Sequence, residues 1–326
     1  MRYLQLRTLR ADTTRVLAVP DVPVALSSTG RAAASLPRRD VAGTLPSVST
    51  TTWTPAVPEF SAVANALSLL MPALEPYVLR TVRHGAAQAT IDGPTGFTEA
   101  GRMLAADFVV QESMHQREHR AFNAELTAQV PALREIERAQ GWVFRRFRRT
   151  ESSLWGLAFA AGAEAVAFFT ARWVDHRHHH LLADADGDAA RLFVWHLAEE
   201  VEHKNVAFDV YRANGGGRLR YLFGIIGALI IMATSVVAGS AVLLIREGHW
   251  WKPRTHARMI GWSCSFVFEV LPMLGLCLTK DHHPANWRDP EWLASWLVAY
   301  DASGAIPTWN QETLDGIYSP LAMATT

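Results

Sequence analysis

Glu112-Ser113-Met114-His115 and Glu200-Val201-Glu202-His203 are two copies of Glu-x-x-His, 88 residues apart, each inside a long stretch with helical apolar spacing. At about 100° per residue, a three-residue step returns both side chains to nearly one face. Each helix therefore offers one carboxylate and one imidazole to the same interior, which is half of a dinuclear metal site. The other half needs two further inward carboxylates on separate helices. One candidate stands on each: Glu75 in Pro72-Ala-Leu-Glu-Pro-Tyr-Val-Leu and Glu164 in Ala160-Ala-Gly-Ala-Glu-Ala-Val-Ala-Phe. Carboxylates gathered in an apolar interior are costly unless cations neutralise them, and a pair of divalent metals is the simplest compensation.

The last motif is richer than the first. His196, Glu200 and His203 form His-x3-Glu-x2-His, within about a 60° arc of one helix, while Glu199 and Glu202 fall away from it. The candidate metal ligands are thus Glu75, Glu112, His115, Glu164, His196, Glu200 and His203. His119, one turn beyond His115 on the same face, reads as an eighth ligand, a proton carrier or a hydrogen-bond partner for a carboxylate, the last being the preferred choice. Gly and Ala residues around Glu164 leave space beside the metals; Phe108 and Phe168, one turn from ligand glutamates, could wall it, with aromatic core packing as the default reading of both.

The chain has 326 residues, 49% of them apolar, and a formal net charge of zero, which gives no electrostatic case for nucleic acid. Its two cysteines, Cys264 and Cys277, imply no disulfide framework and suit a reducing cytoplasm. Residues 1–58, rich in Thr, Ser, Pro, Ala and Arg, read as a mostly disordered extension, with a targeting segment as the alternative for its Arg-rich, acid-poor start.

Residues 59–213 read as a four-helix bundle. The first helix is expected to break at Pro72 and restart around Pro76, ending near Gly85. A second runs from an N-cap at Thr98 through Asn123, a third from about Ser152 to Asp175, and a fourth from about Asp188 to Ala213, where Asn214-Gly-Gly-Gly stops it. Pro131 to Arg149 is a basic amphipathic connector. No alternating strand pattern of useful length is present.

Residues 214–300 read as a hydrophobic helical pair and 301–326 as a tail. Tyr221 to Ile245 is a run of 25 residues without charge, enough to cross a bilayer core, and Met259 to Thr279 is a second apolar run holding Glu269 and Pro272. Lys252, Arg254 and Arg258 between the runs argue against a simple hairpin span, whereas Trp250 and Trp251 suit an interface. Membrane contact and homodimer contact through 221–279 both remain open, and the location is read as cytoplasmic, with membrane association as a possibility.

Three stretches carry a resemblance: Glu75-Pro-Tyr-Val-Leu-Arg-Thr-Val-Arg-His, Gln111-Glu-Ser-Met-His-Gln-Arg-Glu-His-Arg-Ala-Phe-Asn and Trp195-His-Leu-Ala-Glu-Glu-Val-Glu-His-Lys-Asn-Val-Ala-Phe-Asp-Val-Tyr. Over about Phe60 to Lys280 the chain resembles the bacterial family named "predicted metal-dependent hydrolase". That resemblance implies a four-helix arrangement similar to ferritin-like diiron oxygenases; with the helical and apolar runs above, the fold is read as an all-α, ferritin-like four-helix bundle with a C-terminal hydrophobic helical segment. In ligand order it is similar to the p-aminobenzoate N-oxygenase type, in which an extra imidazole precedes the last Glu by four residues, as His196 precedes Glu200.

The expected function is a dinuclear non-haem oxygenase, with Fe/Fe or Mn/Fe, that activates O2 to oxidise a small organic substrate and draws on an electron-donor protein or reductant. The alternatives are a two-metal hydrolase of an ester or phosphate, holding Zn or Mn, and a non-enzymatic iron-handling or membrane-anchored protein.

Overall fold

The structure is a computed structural model that describes residues 35–39, 50–93 and 96–307. These are helical, without a strand among them: α1 Pro58–Gln88, α2 Glu99–Gln129, α3 Leu133–Phe147, α4 Leu154–Asp175, the single turn α5 His178–Leu181, α6 Gly187–His203, α7 Val206–Ala213, α8 Arg218–Arg246, α9 Pro253–Leu276 and α10 Glu291–Ser303. The all-α expectation holds. α1 packs along α2 and α8, and α4 packs on α8, α6 and α7, so that α1, α2, α4 and α6 enclose the glutamates and histidines singled out above.

Local signals set two of the helix starts. Thr98 Oγ1 accepts from Gly101 N at 3.2 Å at the head of α2, and Ser153 Oγ accepts from Gly156 N at 3.0 Å at the head of α4. The expected break in α1 does not occur; the helix runs unbroken through Pro72 and Pro76. Pro72 has no N–H to give to the carbonyl of Ser68, one turn earlier. Asn123 on α2 makes good the loss, its Nδ2 donating to Ser68 O at 2.8 Å.

The expected fourth helix is two helices. It pauses at Lys204 and Asn205, directly after His203, where the buried Lys204 ammonium donates to Trp287 O at 3.1 Å and pairs with Asp289.

Two pieces of the expected disordered extension are packed on the bundle. Trp53 stacks on Phe193 with centroids 5.0 Å apart and donates to Asn65 Oδ1 at 3.0 Å, while Arg39 is buried between Glu199 and Glu202. An aromatic and an arginine with partners this well placed are ordered by them, whatever the composition around them. Residues 1–34 and 40–49 of that extension, and 308–326 of the tail, lie outside the described residues.

Nor is the hydrophobic pair a separate unit. Tyr221, Ile225, Ala228, Leu243 and Leu244 of α8 belong to the same buried cluster as α1 and α4. Glycines allow the close approach: a Cβ on Gly224 would sit 2.0 Å from Ala158 O of α4, and one on Gly162 would sit 2.4 Å from the Gly224 carbonyl carbon.

Candidate metal centre

Glu112 and His115 come from α2, Glu75 from α1, Glu164 from α4, and His196, Glu200 and His203 from α6. All seven expected residues are brought together. Glu112, His115, Glu200 and His203 offer ligand atoms within 4.8 Å of one another. His196 Nε2 lies 2.8 Å from Glu200 Oε1 and 3.7 Å from Glu75 Oε1, and Glu164 Oε2 lies 3.9 Å from His203 Nδ1. His196 is part-buried and the other six are buried.

The imidazoles are held from behind in a reciprocal pattern. The residue before each Glu-x-x-His bonds the histidine of the other motif: Glu199 Oε2 accepts from His115 Nε2 at 2.9 Å, and Gln111 Oε1 accepts from His203 Nε2 at 2.8 Å. Gln111 spends its own Nε2 on Pro37 O at 2.8 Å, which fixes its oxygen as the acceptor. With Nε2 tied to these acceptors in both rings, Nδ1 is the nitrogen each ring turns to the carboxylates. His115 Nδ1 is 3.4 Å from Glu200 Oε1, and His203 Nδ1 is 2.9 Å from Glu112 Oε1 without hydrogen-bond alignment.

His196 is oriented by a longer chain. Ser68 Oγ donates to Asn123 Oδ1 at 2.7 Å, so it accepts from His119 Nδ1 at 2.8 Å. His119 is then protonated on Nδ1, and its Nε2 accepts from His196 Nδ1 at 2.6 Å. That leaves the His196 Nε2 lone pair facing Glu75 and Glu200. The partner of His119 is thus an imidazole rather than a carboxylate, and Glu75, His119 and His196 offer ligand atoms within 4.8 Å of one another. Burial holds both rings below the usual histidine value, His119 further lowered by the neighbouring His196 and His196 by His115, so both are neutral near pH 7 as this bonding requires.

The electrostatics call for cations. Burial, then the neighbouring carboxylate charge of Glu112, pushes Glu75 well above the carboxylate range; burial, then Glu200 and Glu112, does the same to Glu164. For Glu200 burial works upward too, but the His115 and His196 imidazoles beside it outweigh it and hold it well below. His115 is raised well above its usual value: burial opposes this, and the carboxylates of Glu112, Glu199 and Glu200 overcome it. A proton on that ring does what a metal would do better.

Glu75 Oε1 and Oε2, Glu112 Oε1, Glu164 Oε2, His115 Nδ1 and His203 Nδ1 are all buried without a hydrogen-bond partner among the described residues. Each orphan costs about 1–3 kcal/mol, so the set is a poor protein core and a good donor set. Carboxylate and imidazole donors in this number suit two divalent metal ions.

Beside these groups lies a cavity of about 140 Å³, lined by Glu75, Glu164, His196 and Glu200 at its floor and by apolar side chains such as Leu67 and Leu74. Phe108 and Phe168 do not line it and are packed in the core. Phe108 packs edge-on against His203 at 4.8 Å, and Phe168 stacks on Trp287 at 5.2 Å. Phe60, Trp173, Phe193 and Met232 wall it instead, with Ala163 and Ala167 leaving the room.

Sequence reasoning missed Gln111, Glu199, Ser68, Asn123 and Arg39. The signal for the first two was a Gln or Glu directly before each Glu-x-x-His; the others carry no local signal. Arg39 supports Glu199, with Nη1 3.1 Å from its Oε1.

Fold and site together define an all-α protein with a buried glutamate–histidine centre able to hold two metal ions. The chain belongs to the family described as "predicted metal-dependent hydrolase", which matches residues 37–287. The match begins at Pro37, whose carbonyl accepts from Gln111, and so takes in part of the stretch read from sequence as an extension. No curated protein and no solved structure matches the chain.

Proposed function

We propose that Glu75, Glu112, His115, Glu164, His196, Glu200 and His203 hold two divalent metals, Fe/Fe or Mn/Fe, and that the protein uses them to oxidise a largely apolar organic molecule with O2. The observation that carries this reading is the cavity: it opens on the carboxylate cluster, and its lining contains no Lys or Arg among the described residues. A phosphate ester or other anionic substrate would find no side-chain cation there, only the metals themselves. An apolar molecule would displace water and sit against Glu75, Glu164 and Glu200.

When bound, the metals supply the reduction of O2, which protein side chains do not perform. The chain's own parts supply the rest. Glu199 and Gln111 keep His115 and His203 in the tautomer that offers Nδ1. The His119–Ser68–Asn123 chain keeps His196 offering Nε2, and it holds a proton at His119 Nδ1 directly behind the centre. For insertion of one oxygen atom, two electrons from an external reductant and two protons convert the second oxygen atom to water, which makes an electron-donor protein or small reductant the expected partner.

The family description supports a second reading, hydrolysis of an ester by a metal-bound water. The two separate cleanly. Protein loaded anaerobically with Fe(II) and then mixed with O2 is expected to give a transient, oxygen-dependent optical band and to consume O2. Inertness to O2, with esterase activity in the Zn- or Mn-loaded protein, would replace oxidation by hydrolysis.

A further inference from the structure

α8 and α9 lie antiparallel, Arg218 at the start of α8 donating to Leu278 O just past the end of α9 at 3.2 Å. Their outer faces are predominantly apolar, with the small hydroxyls of Thr234 and Ser263 among the exposed residues. α8 exposes Leu219, Phe223, Ile230, Val237 and Ile245, and α9 exposes Ile260, Val267, Phe268, Leu271 and Leu276, with Phe268 72% exposed. Beyond Arg254 in the first turn of α9, its two charged residues are turned to the bundle and paired: Arg258 with Glu59, and Glu269 with Arg177 at 2.7 Å. A solvated helix keeps its charges outside and its apolar side inside, and α9 does the reverse.

Cations bracket the apolar band. Arg218, Arg220 and Lys280 stand at one end, and Arg246, Lys252 and Arg254 at the other, outnumbering the acids Glu247 and Asp281. Trp250 and the 77%-exposed Trp251 form the turn between the helices. A second copy laid on this face would set cation against cation, whereas anionic headgroups complement both ends.

We propose that the α8–α9 face docks in one leaflet of an anionic lipid bilayer, the two helices lying in the plane of the interface, and that the cavity beside the glutamates receives a molecule with an alkyl or acyl chain directly from the hydrocarbon. An upright, spanning arrangement is excluded by what the helices pack on. α8 runs along α1, α1 runs along α2, and α2 exposes Arg102, Arg117, Arg120 and Glu125, which would be carried into the bilayer. In the plane, only the apolar faces enter, and the terminal Lys and Arg reach back to the headgroups.

The cavity is on this side of the molecule. Met232 of α8 lines it, and its wall residues Phe60 and Trp173 touch Trp262 of α9 at 6.4 and 6.2 Å. The supply of substrate from lipid rests on the reading of this cavity as the substrate site; the docking does not.

The full chain, metal-loaded, is tested by flotation with phosphatidylcholine vesicles with and without phosphatidylglycerol. The wild type is expected to float with both and more tightly with the anionic vesicles, and Val267→Glu/Phe268→Glu, at exposed positions, should lower partitioning about tenfold or more at unchanged metal content and circular dichroism. Wild-type protein that stays unbound, or that forms a dimer dispersed by the same double variant, would overturn the docking. For the supply route, the uncharged methyl ester of cis-parinaric acid is the probe: the wild type should bind it and Ala167→Phe, which fills the cavity, should not. Flotation without probe capture would overturn that half alone, independently of any assay of O2 or ester chemistry.

Discussion

Replacing Gln111 by Met keeps the length and apolar volume of the side chain and removes the oxygen that accepts from His203 Nε2 at 2.8 Å. His203 is buried, so water cannot substitute, and an N–H left without an acceptor costs about 1–3 kcal/mol. The ring has one escape: moving its proton to Nδ1, which lies 2.9 Å from Glu112 Oε1. That escape uses up the lone pair assigned to the metal. Gln111→Met is therefore expected to lower metal affinity about 10–100-fold, or about 1.4–2.8 kcal/mol. The metal-free protein, free to use the other tautomer, should lose less stability than the loaded one. Competition against a chromophoric chelator gives the affinity, and thermal unfolding with and without metal gives the difference in stability. Wild-type affinity together with equal loss of stability in both forms would refute the reciprocal bracing.

His196→Ala should alter the optical spectrum of the Co(II)-loaded protein while the bundle stays folded; an unchanged spectrum with lowered thermal stability would make His196 a core histidine held by His119. Glu164→Gln should raise the melting temperature of the metal-free protein at pH 8. Burial, then the charges of Glu200 and Glu112, raises this carboxyl in the folded state, so its contribution is complete below the unfolded value of 4.5 and is lost as pH rises through the folded one. The advantage of the variant should vanish near pH 4 in the same melting experiment, and equal melting at both pH values would count against the electrostatic account. Gly224→Val would drive a Cβ, 2.0 Å from Ala158 O at the ideal position, into the backbone of α4, and should cost about 3 kcal/mol or more in chemical denaturation. A variant as stable as the wild type would mean that α4 and α8 do not approach so closely.

The two Glu-x-x-His motifs, Glu75 and Glu164 were legible in the chain because helical period is a local property: a three-residue step puts two side chains on one face wherever the helix ends up. The same locality made Thr98 and the Asn214-Gly-Gly-Gly stop readable. Composition misled for Arg39 and Trp53, whose neighbours look disordered but whose partners lie at Glu199 and Asn65. Proline misled at Pro72 for a related reason. The local rule counts a lost hydrogen bond, and the replacement donor, Asn123, is on another helix.

By itself, then, the amino-acid sequence determined the helical class, the seven metal-ligand candidates and the apolar character of α8 and α9, all of which follow from side-chain chemistry and spacing along one element. Tertiary structure alone decided which nitrogen each histidine offers, since that is set by Glu199, Gln111 and His119 across helix boundaries. It also decided that Phe60, Trp173 and Phe193 rather than Phe108 and Phe168 wall the cavity. The rotation of each helix about its own axis chooses those faces, and that rotation is fixed by close contacts such as Gly224 on Ala158, between residues far apart in the chain.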